Sequence, residues 1–391
     1  MAKIKKVQIQ KVLGFRSSET ISVQVEDDQG KTGSAMVAFG KSEGKYEAEY
    51  LAPDKAALKA EELSLLLAGI EVLDQKKIDQ TMIDYDATPQ KKNLGGNVIL
   101  GVGLACTRLG ALESGQPLYL YLRQIFSGGR LVFKPPRILH NLIEGGVHAN
   151  NNLPIQEHLV IPLSQPIKNQ IEILDKFSDS FLIELEKQGR KINYGDEGGF
   201  DLEFKSEDQV FALAEEFKNQ NNFQFDWGID AAANNIKNLD PDYYLNWYQE
   251  LAEKYPFVYL EDPFAEENQE KYWQEIFNKI SDKTLIVGDD LTVTNPRKLK
   301  EILGKKMING IIIKPDQVGS LTEAFETIRM AKESGLKIAV SHRSQETTDN
   351  YLADLAVAVS ADFVKFGAFY QGERLAKYNR LLEIEKSIEN F

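Results

Sequence analysis

Six short apolar runs in the C-terminal half of the chain each end on a side chain able to do chemistry. FQFDWGI ends on Asp230, FVYL on Glu261, TLIVG on Asp289, GIII on Lys314, KIAVS on His342 and DFV on Lys365. Successive positions lie 31, 28, 25, 28 and 23 residues apart. A strand, a helix and two loops need about 30 residues. Repeated units of that length predict a parallel α/β barrel, a fold that gathers its chemistry at the C-terminal strand ends. Three carboxylates on rigid strand ends suit a hard, oxygen-preferring cation, Mg²⁺ above all. Lys314 and Lys365 follow on the same rim. Next to a divalent cation and another ammonium, a lysine should lose proton affinity and become competent as a base. The chemistry this predicts is proton abstraction beside a metal-bound carboxylate.

Other segments extend the set. Asn193-Tyr-Gly-Asp-Glu-Gly-Gly-Phe200 is a turn carrying Asp196 and Glu197. Glu197 can act as a general acid if burial or a second carboxylate, such as Glu157 in IQEH, raises its pKa. Ser341-His342-Arg343-Ser344 offers an imidazole, a guanidinium and a hydroxyl within four residues, a cradle for a phosphate. Read singly, the first could be only a turn and the second only a strand cap. His148, in the polar loop GGVHANNN, is a further candidate, whereas His140 and His158 sit in strand-like surroundings and read as structural. Cys106 is alone and lies in a small-residue apolar stretch, so it reads as a buried hydrophobe.

The elements that must position these groups are legible in outline. The chain has 391 residues, enough for a barrel with an appended domain, and its net charge of −13 argues against nucleic-acid or anionic-membrane binding. No run approaches a membrane span, and MAKIKKVQIQ lacks the apolar core of a secretory signal, so a cytoplasmic protein is expected. Residues 1–50 alternate as three strands with a hairpin turn at Asp28-Gln-Gly-Lys31, followed by a glycine-bearing segment at 38–44 that can serve as a lid. Residues 54–126 read as helical. Asp54 is placed to cap a helix running to about Leu73, and NVILGVGLACTRLGAL is apolar nearly all round, as for a helix buried on several sides. Gly101 and Gly103 there read as packing positions. Capping patterns open later helices at Ser206, Asn295 and Ser320. The fold class expected is α/β: an α+β domain over residues 1–130, with a three-stranded sheet and helices, then an α/β barrel over 131–391 that carries the site.

Longer stretches point to a family. LGGNVILGVGLA, QPLYLYL, GGVHANNNLPIQEH, GDEGGF, EDPFAEEN, VGDDLTVTNP, IIIKPDQVGSLTE, SHRSQET and GERLAKYNRLL together make the chain resemble the enolases, the phosphopyruvate hydratases of glycolysis, over nearly its whole length. The resemblance implies an eight-stranded, TIM-like barrel behind a small α+β domain, assembled as a homodimer or larger homo-oligomer. It implies reversible dehydration of 2-phospho-D-glycerate to phosphoenolpyruvate with Mg²⁺ as cofactor; enolases as a class pair a lysine or histidine base with one or two Mg²⁺ ions. Asp230, Glu261 and Asp289 would hold the metal. Lys314 would take the C2 proton, Lys365 would stabilise the charged carboxylate, and Glu197 assisted by Glu157 would protonate the departing hydroxyl. His342, Arg343 and Ser344 would hold substrate, and His148 would close over it.

Some positions depart from the family. Phe39-Gly-Lys-Ser-Glu-Gly44 stands where enolases have Ser-Gly-Ala-Ser-Thr-Gly, whose first serine helps bind a second Mg²⁺. Only the backbone carbonyl of Phe39 could replace that ligand, and Lys41 could instead bring charge to the phosphate. Asp316 replaces an asparagine, Gln345 replaces a glycine, and Gly14-Phe-Arg-Ser-Ser-Glu-Thr20 replaces Asp-Ser-Arg-Gly-Asn-Pro-Thr. These changes leave two alternatives beside an active enolase: a binding or structural protein with weak or no hydratase activity, or an enolase-fold enzyme for another carboxylate substrate.

Overall fold

The computed structural model describes residues 1–41, 44–129, 133–163 and 166–389. The chain opens with a three-stranded antiparallel sheet, β1 (Ile4–Leu13), β2 (Glu19–Asp27) and β3 (Thr32–Val37), with β2 central. Alternation puts Val7, Ile9, Ile21, Val23, Val25, Ala35 and Val37 inside, with β2 and β3 against the helix Gly96–Glu113 and β1 against the helices Pro53–Ala57 and Ala60–Leu67. That helix is buried nearly throughout, as its composition requires. A Cβ on Gly101 would lie 2.6 Å from Val23 Cγ2, and one on Gly103 would lie 2.7 Å from Asp79 Oδ1, so both glycines serve close packing.

The expected helix from Asp54 to Leu73 is instead two short ones, Pro53–Ala57 and Ala60–Leu67, the first opened by Pro53 rather than by an Asp54 cap. Leu58 and Leu65 face solvent, while Leu63 and Leu67 are buried. Helices Gln75–Asp86 and Leu118–Ser127 complete this part. The expected boundary at residue 130 falls outside the described residues. Among the described residues no single helix is long and apolar enough to cross a membrane.

The second part is a closed barrel. Its strands are β4 (Arg137–Glu144), β5 (Glu157–Pro162), β8 (Phe225–Asp230), β9 (Phe257–Glu261), β10 (Leu285–Gly288), β11 (Gly310–Ile313), β12 (Lys337–Ser341) and β13 (Phe363–Lys365). They pair in that order, and β13 returns to β4. A small hairpin, β6 (Asn193–Tyr194) and β7 (Phe200–Asp201), hangs on β4. Alternate residues fill the interior (Leu139, Leu159, Ile161, Tyr259, Val287, Ile312, Ala339 and Phe363), while their neighbours pack under the helices. Truncating one such residue, Ile312→Ala, should cost about 2–5 kcal/mol. The caps read from sequence are present: Ser206 accepts from Gln209 N–H, Asn295 from Arg297 and Lys298, and Ser320 from Glu323.

The barrel is not all parallel. β5 runs antiparallel to both β4 and β8. Parallel neighbours need a crossover of a dozen or more residues, usually helical. The β4–β5 link, residues 145–156, is instead a glycine- and asparagine-rich loop. The chain therefore turns straight back, and β5 brings its first residue, Glu157, to the end where the other strands bring their last.

Candidate active site

Register builds the centre of the site. Glu157 opens β5 opposite Asp230, which closes β8, and Asp230 lies opposite Glu261, which closes β9. Adjacent strands are about 4.8 Å apart, so three carboxylates stand in a row. Lys365 reaches them from β13, with Nζ 2.8 Å from Asp230 Oδ2, 2.9 Å from Glu261 Oε1 and 2.9 Å from Glu157 Oε2. Tyr259, whose ring fills the barrel interior, donates its hydroxyl to Glu261 Oε2 at 2.7 Å. Burial and the neighbouring Asp230 push the Glu261 carboxyl up to about 8.

Asp289 follows β10 and binds the second lysine: Lys314 Nζ donates to Asp289 Oδ2 at 2.5 Å, and Gln317 Nε2 to Oδ1 at 2.9 Å. Burial pulls the Lys314 pKa down, but Asp289 more than offsets it, and the net shift is upward. The charge nearest Lys314 Nζ is the Asp289 carboxylate. Asp262 accepts the N–H groups of Asp289 and Asp290 at 2.9 and 2.8 Å, and one oxygen from each of these three carboxylates lies within 4.8 Å of the others. The donor set around both lysines is all carboxylate and buried, which fits a hard divalent cation.

The acid end lies in the same cavity. Glu197 Oε2 accepts from His342 Nε2 at 2.9 Å and from Asn141 Nδ2 at 3.1 Å. The Arg374 guanidinium, which can only donate, sits 2.8 Å from His342 Nδ1. His342 is therefore the tautomer with hydrogen on Nε2, and burial lowers its pKa to about 4. Burial works to raise Glu197, yet His342 and His148 outweigh it and hold the carboxyl well below its ordinary value. Burial pushes Glu157 the other way, well above. The sequence-based expectation placed the raised pKa on Glu197; the pair is polarised in reverse. His148 Nδ1 stands 3.8 Å from an oxygen of each.

The cradle is more crowded than its sequence indicated. Arg343 binds Asp316 closely and Glu47 at 3.0 and 3.3 Å, both of them buried. Tyr50 donates to Asp316 Oδ2 at 3.0 Å. Asp316 thus interacts most strongly with Arg343, and less with Lys314. Ser344 Oγ accepts from the Lys41 N–H at 2.9 Å. Phe39 and Gln345 form an antiparallel bridge, N–H to carbonyl at 3.2 and 3.1 Å in the two directions, so the Phe39 carbonyl already accepts a bond. Lys41 Nζ donates to Asp196 Oδ2 and to the Val147 carbonyl, each at 2.9 Å, and Arg16 pairs closely with Asp196. The Lys41 charge is therefore spent on the turn beside Glu197. Residues 42 and 43 of the expected lid lie outside the described residues. His140 and His158 lie within β4 and β5, away from the cavity lining.

Glu47, Asn141, Glu144, Asp262, Gln317 and Arg374 were not singled out from sequence. Gln317 and Arg374 lie inside the family-like stretches IIIKPDQ and GERLAKYN; Glu47 and Glu144 carry no local signal.

A small α+β domain capping a barrel with one reversed strand, and carboxylates with two lysines at the strand ends, define an enolase-type capped barrel. The chain matches the family models "Enolase, N-terminal domain" over residues 4–122 and "Enolase, C-terminal TIM barrel domain" over residues 133–216 and 210–390. It belongs to the enolase family. Members of that family generally bind Mg²⁺ and act as lyases on small carboxylate substrates, often as oligomers.

Proposed function

We propose that this protein catalyses the reversible dehydration of 2-phospho-D-glycerate to phosphoenolpyruvate, the step shared by glycolysis and gluconeogenesis. The observation that carries the reading is one cavity lined by both lysines, Lys314 and Lys365, together with the carboxyls Glu157 and Glu197. Asp230, Glu261 and Asp289 would hold Mg²⁺, which when bound supplies Lewis-acid polarisation of the substrate carboxylate and engages the carboxylates that otherwise hold the lysines protonated. Lys314, once neutral, takes the C2 proton. Lys365 offsets the charge that develops on the carboxylate. Glu197 delivers a proton to the departing C3 hydroxyl, drawing on Glu157 through a cluster that includes His148. His342, Arg343 and Ser344 orient the phosphate end. The same reading takes the protein as a cytoplasmic homodimer or larger homo-oligomer, which sedimentation at micromolar concentration tests.

Purified protein with Mg²⁺ and 2-phosphoglycerate should develop the ultraviolet absorbance of the conjugated enol phosphate. Magnesium-dependent ligand binding without turnover would sink this reading. A second reading, an enzyme for a different carboxylate, is favoured by one observation: Arg343 already sits between Glu47 and Asp316. Turnover of an unphosphorylated 2-hydroxy acid, with none of 2-phosphoglycerate, would select it.

A further inference from the structure

Glu144 closes β4 with no exposed surface and takes no part in the chemistry above. Its carboxyl accepts the Glu197 N–H on Oε2 at 3.0 Å and the Gly199 N–H on Oε1 at 2.6 Å. The turn is wrapped around it. A Cβ on Gly195 would lie 2.1 Å from Glu144 Oε2, and one on Gly199 would lie 2.9 Å from Oε1. A side chain at either of those two positions of Gly195-Asp-Glu-Gly-Gly199 would force the Glu144 carboxyl to move.

The same strand supplies a second contact. Asn141 donates to the Glu197 carboxylate, although residues 141 and 144 of a regular strand point to opposite faces. The β4–β5 register explains this: Asn141 pairs with Leu159 but Ile143 with His158, so Leu142 is an extra residue, a bulge. Bulges beside active sites re-aim side chains, and this one turns Asn141 and Glu144 onto one target. His342, held by Arg374, makes the third contact.

We infer that Glu144 is a positioning residue for Glu197: it fixes the acid's backbone while Asn141 and His342 fix its carboxylate. This rests on Glu197 being the acid that assists departure of the hydroxyl. The charged groups acting on Glu144 are Glu197 from the turn and Arg374 from the C-terminal helix, and burial with the Glu197 charge pushes its carboxyl up to about 8. A carboxyl can accept both N–H groups. An amide presents one acceptor and one donor, so Glu144→Gln must release an N–H of the turn.

The test uses the full chain with Mg²⁺ and 2-phosphoglycerate. In Glu144→Gln, dehydration should fall roughly tenfold or more in kcat with KM changed less than about threefold, while exchange of the C2 hydrogen with solvent is retained. Amide hydrogen exchange over residues 195–199 should accelerate, with β8–β13 unchanged. If Glu144→Gln does not fold, Glu144→Asp, which withdraws the carboxyl by one methylene, is read the same way. Unchanged protection of the turn, or equal loss of exchange and dehydration, overturns the inference. A wild-type protein that neither exchanges nor dehydrates refutes the proposed reaction instead, and the amide-protection arm then still decides whether Glu144 holds the turn.

Discussion

Lys314 Nζ and Asp289 Oδ2 lie 2.5 Å apart, so the proposed base is bound to a proposed metal ligand. The two roles are physically coupled, because the charge that keeps the lysine protonated is the charge a cation would draw away. Lys314→Ala should lower turnover by about 10²–10⁴-fold, the usual weight of a general base. Magnesium affinity, read by calorimetry, should be nearly unchanged. A variant keeping most of its rate would remove Lys314 from the role.

Asp316 places a second carboxylate on Arg343. A unit charge about 4 Å from a bound anion costs about 4 kcal/mol at an effective dielectric near 20 and about 1 kcal/mol in bulk water. Asp316→Asn should therefore tighten binding of a phosphorylated substrate, lowering KM by roughly tenfold, which is about 1.4 kcal/mol. Unchanged KM with lowered stability would make Asp316 a packing partner only.

Lys41 ties the N-terminal loop to the turn that carries Glu197. Its side chain is half exposed, so the ion pair with Asp196 contributes at most about 1 kcal/mol to stability. Lys41→Ala should leave the melting temperature within a few degrees while raising KM a few-fold. A fall in Tm matched by unchanged kinetics would contradict a link between loop and site.

His140 provides a pH test away from the chemistry. It is buried, bonds Ser178 Oγ at 3.2 Å and packs its ring 4.5 Å from that of Phe369. Burial lowers its pKa from 6.5 to about 3. Below pH 6.5 the unfolded chain takes a proton that the folded chain refuses. The stability this group contributes is thus fully present above pH 6.5 and lost as pH falls toward 3, by about 2 kcal/mol at pH 5. Denaturant unfolding at pH 7 and pH 5 should show a smaller difference in His140→Gln than in the parent. Identical differences would refute the assignment.

Much of this was present in the residue order. The six strand ends, the antiparallel N-terminal sheet, the buried helix around Gly101 and the caps at Ser206, Asn295 and Ser320 all follow from local rules: period-two alternation, a strand–helix repeat near 30 residues, and capping side chains that bond within three residues. Asp230, Glu261, Asp289, Lys314 and Lys365 were legible because each sits at a predictable point of that repeat. The reversal of β5 was not, since alternation is the same in either direction and only the shape of the 145–156 loop sets the return.

By itself, then, the sequence determined which side chains could meet at one end of a barrel, because strand periodicity and repeat length fix position along an element. Tertiary structure decided what each of them touches. The bulge at Leu142 aims Glu144 and Asn141 at Glu197, the reversed β5 sets Glu157 beside Asp230, and Glu47 arrives on Arg343 from nearly 300 positions away in the chain. Contacts of that range depend on register and closure of the barrel, and protonation follows from them: a buried carboxyl is driven up by burial and neighbouring carboxylates, as Glu157 is, or down by neighbouring imidazoles, as Glu197 is.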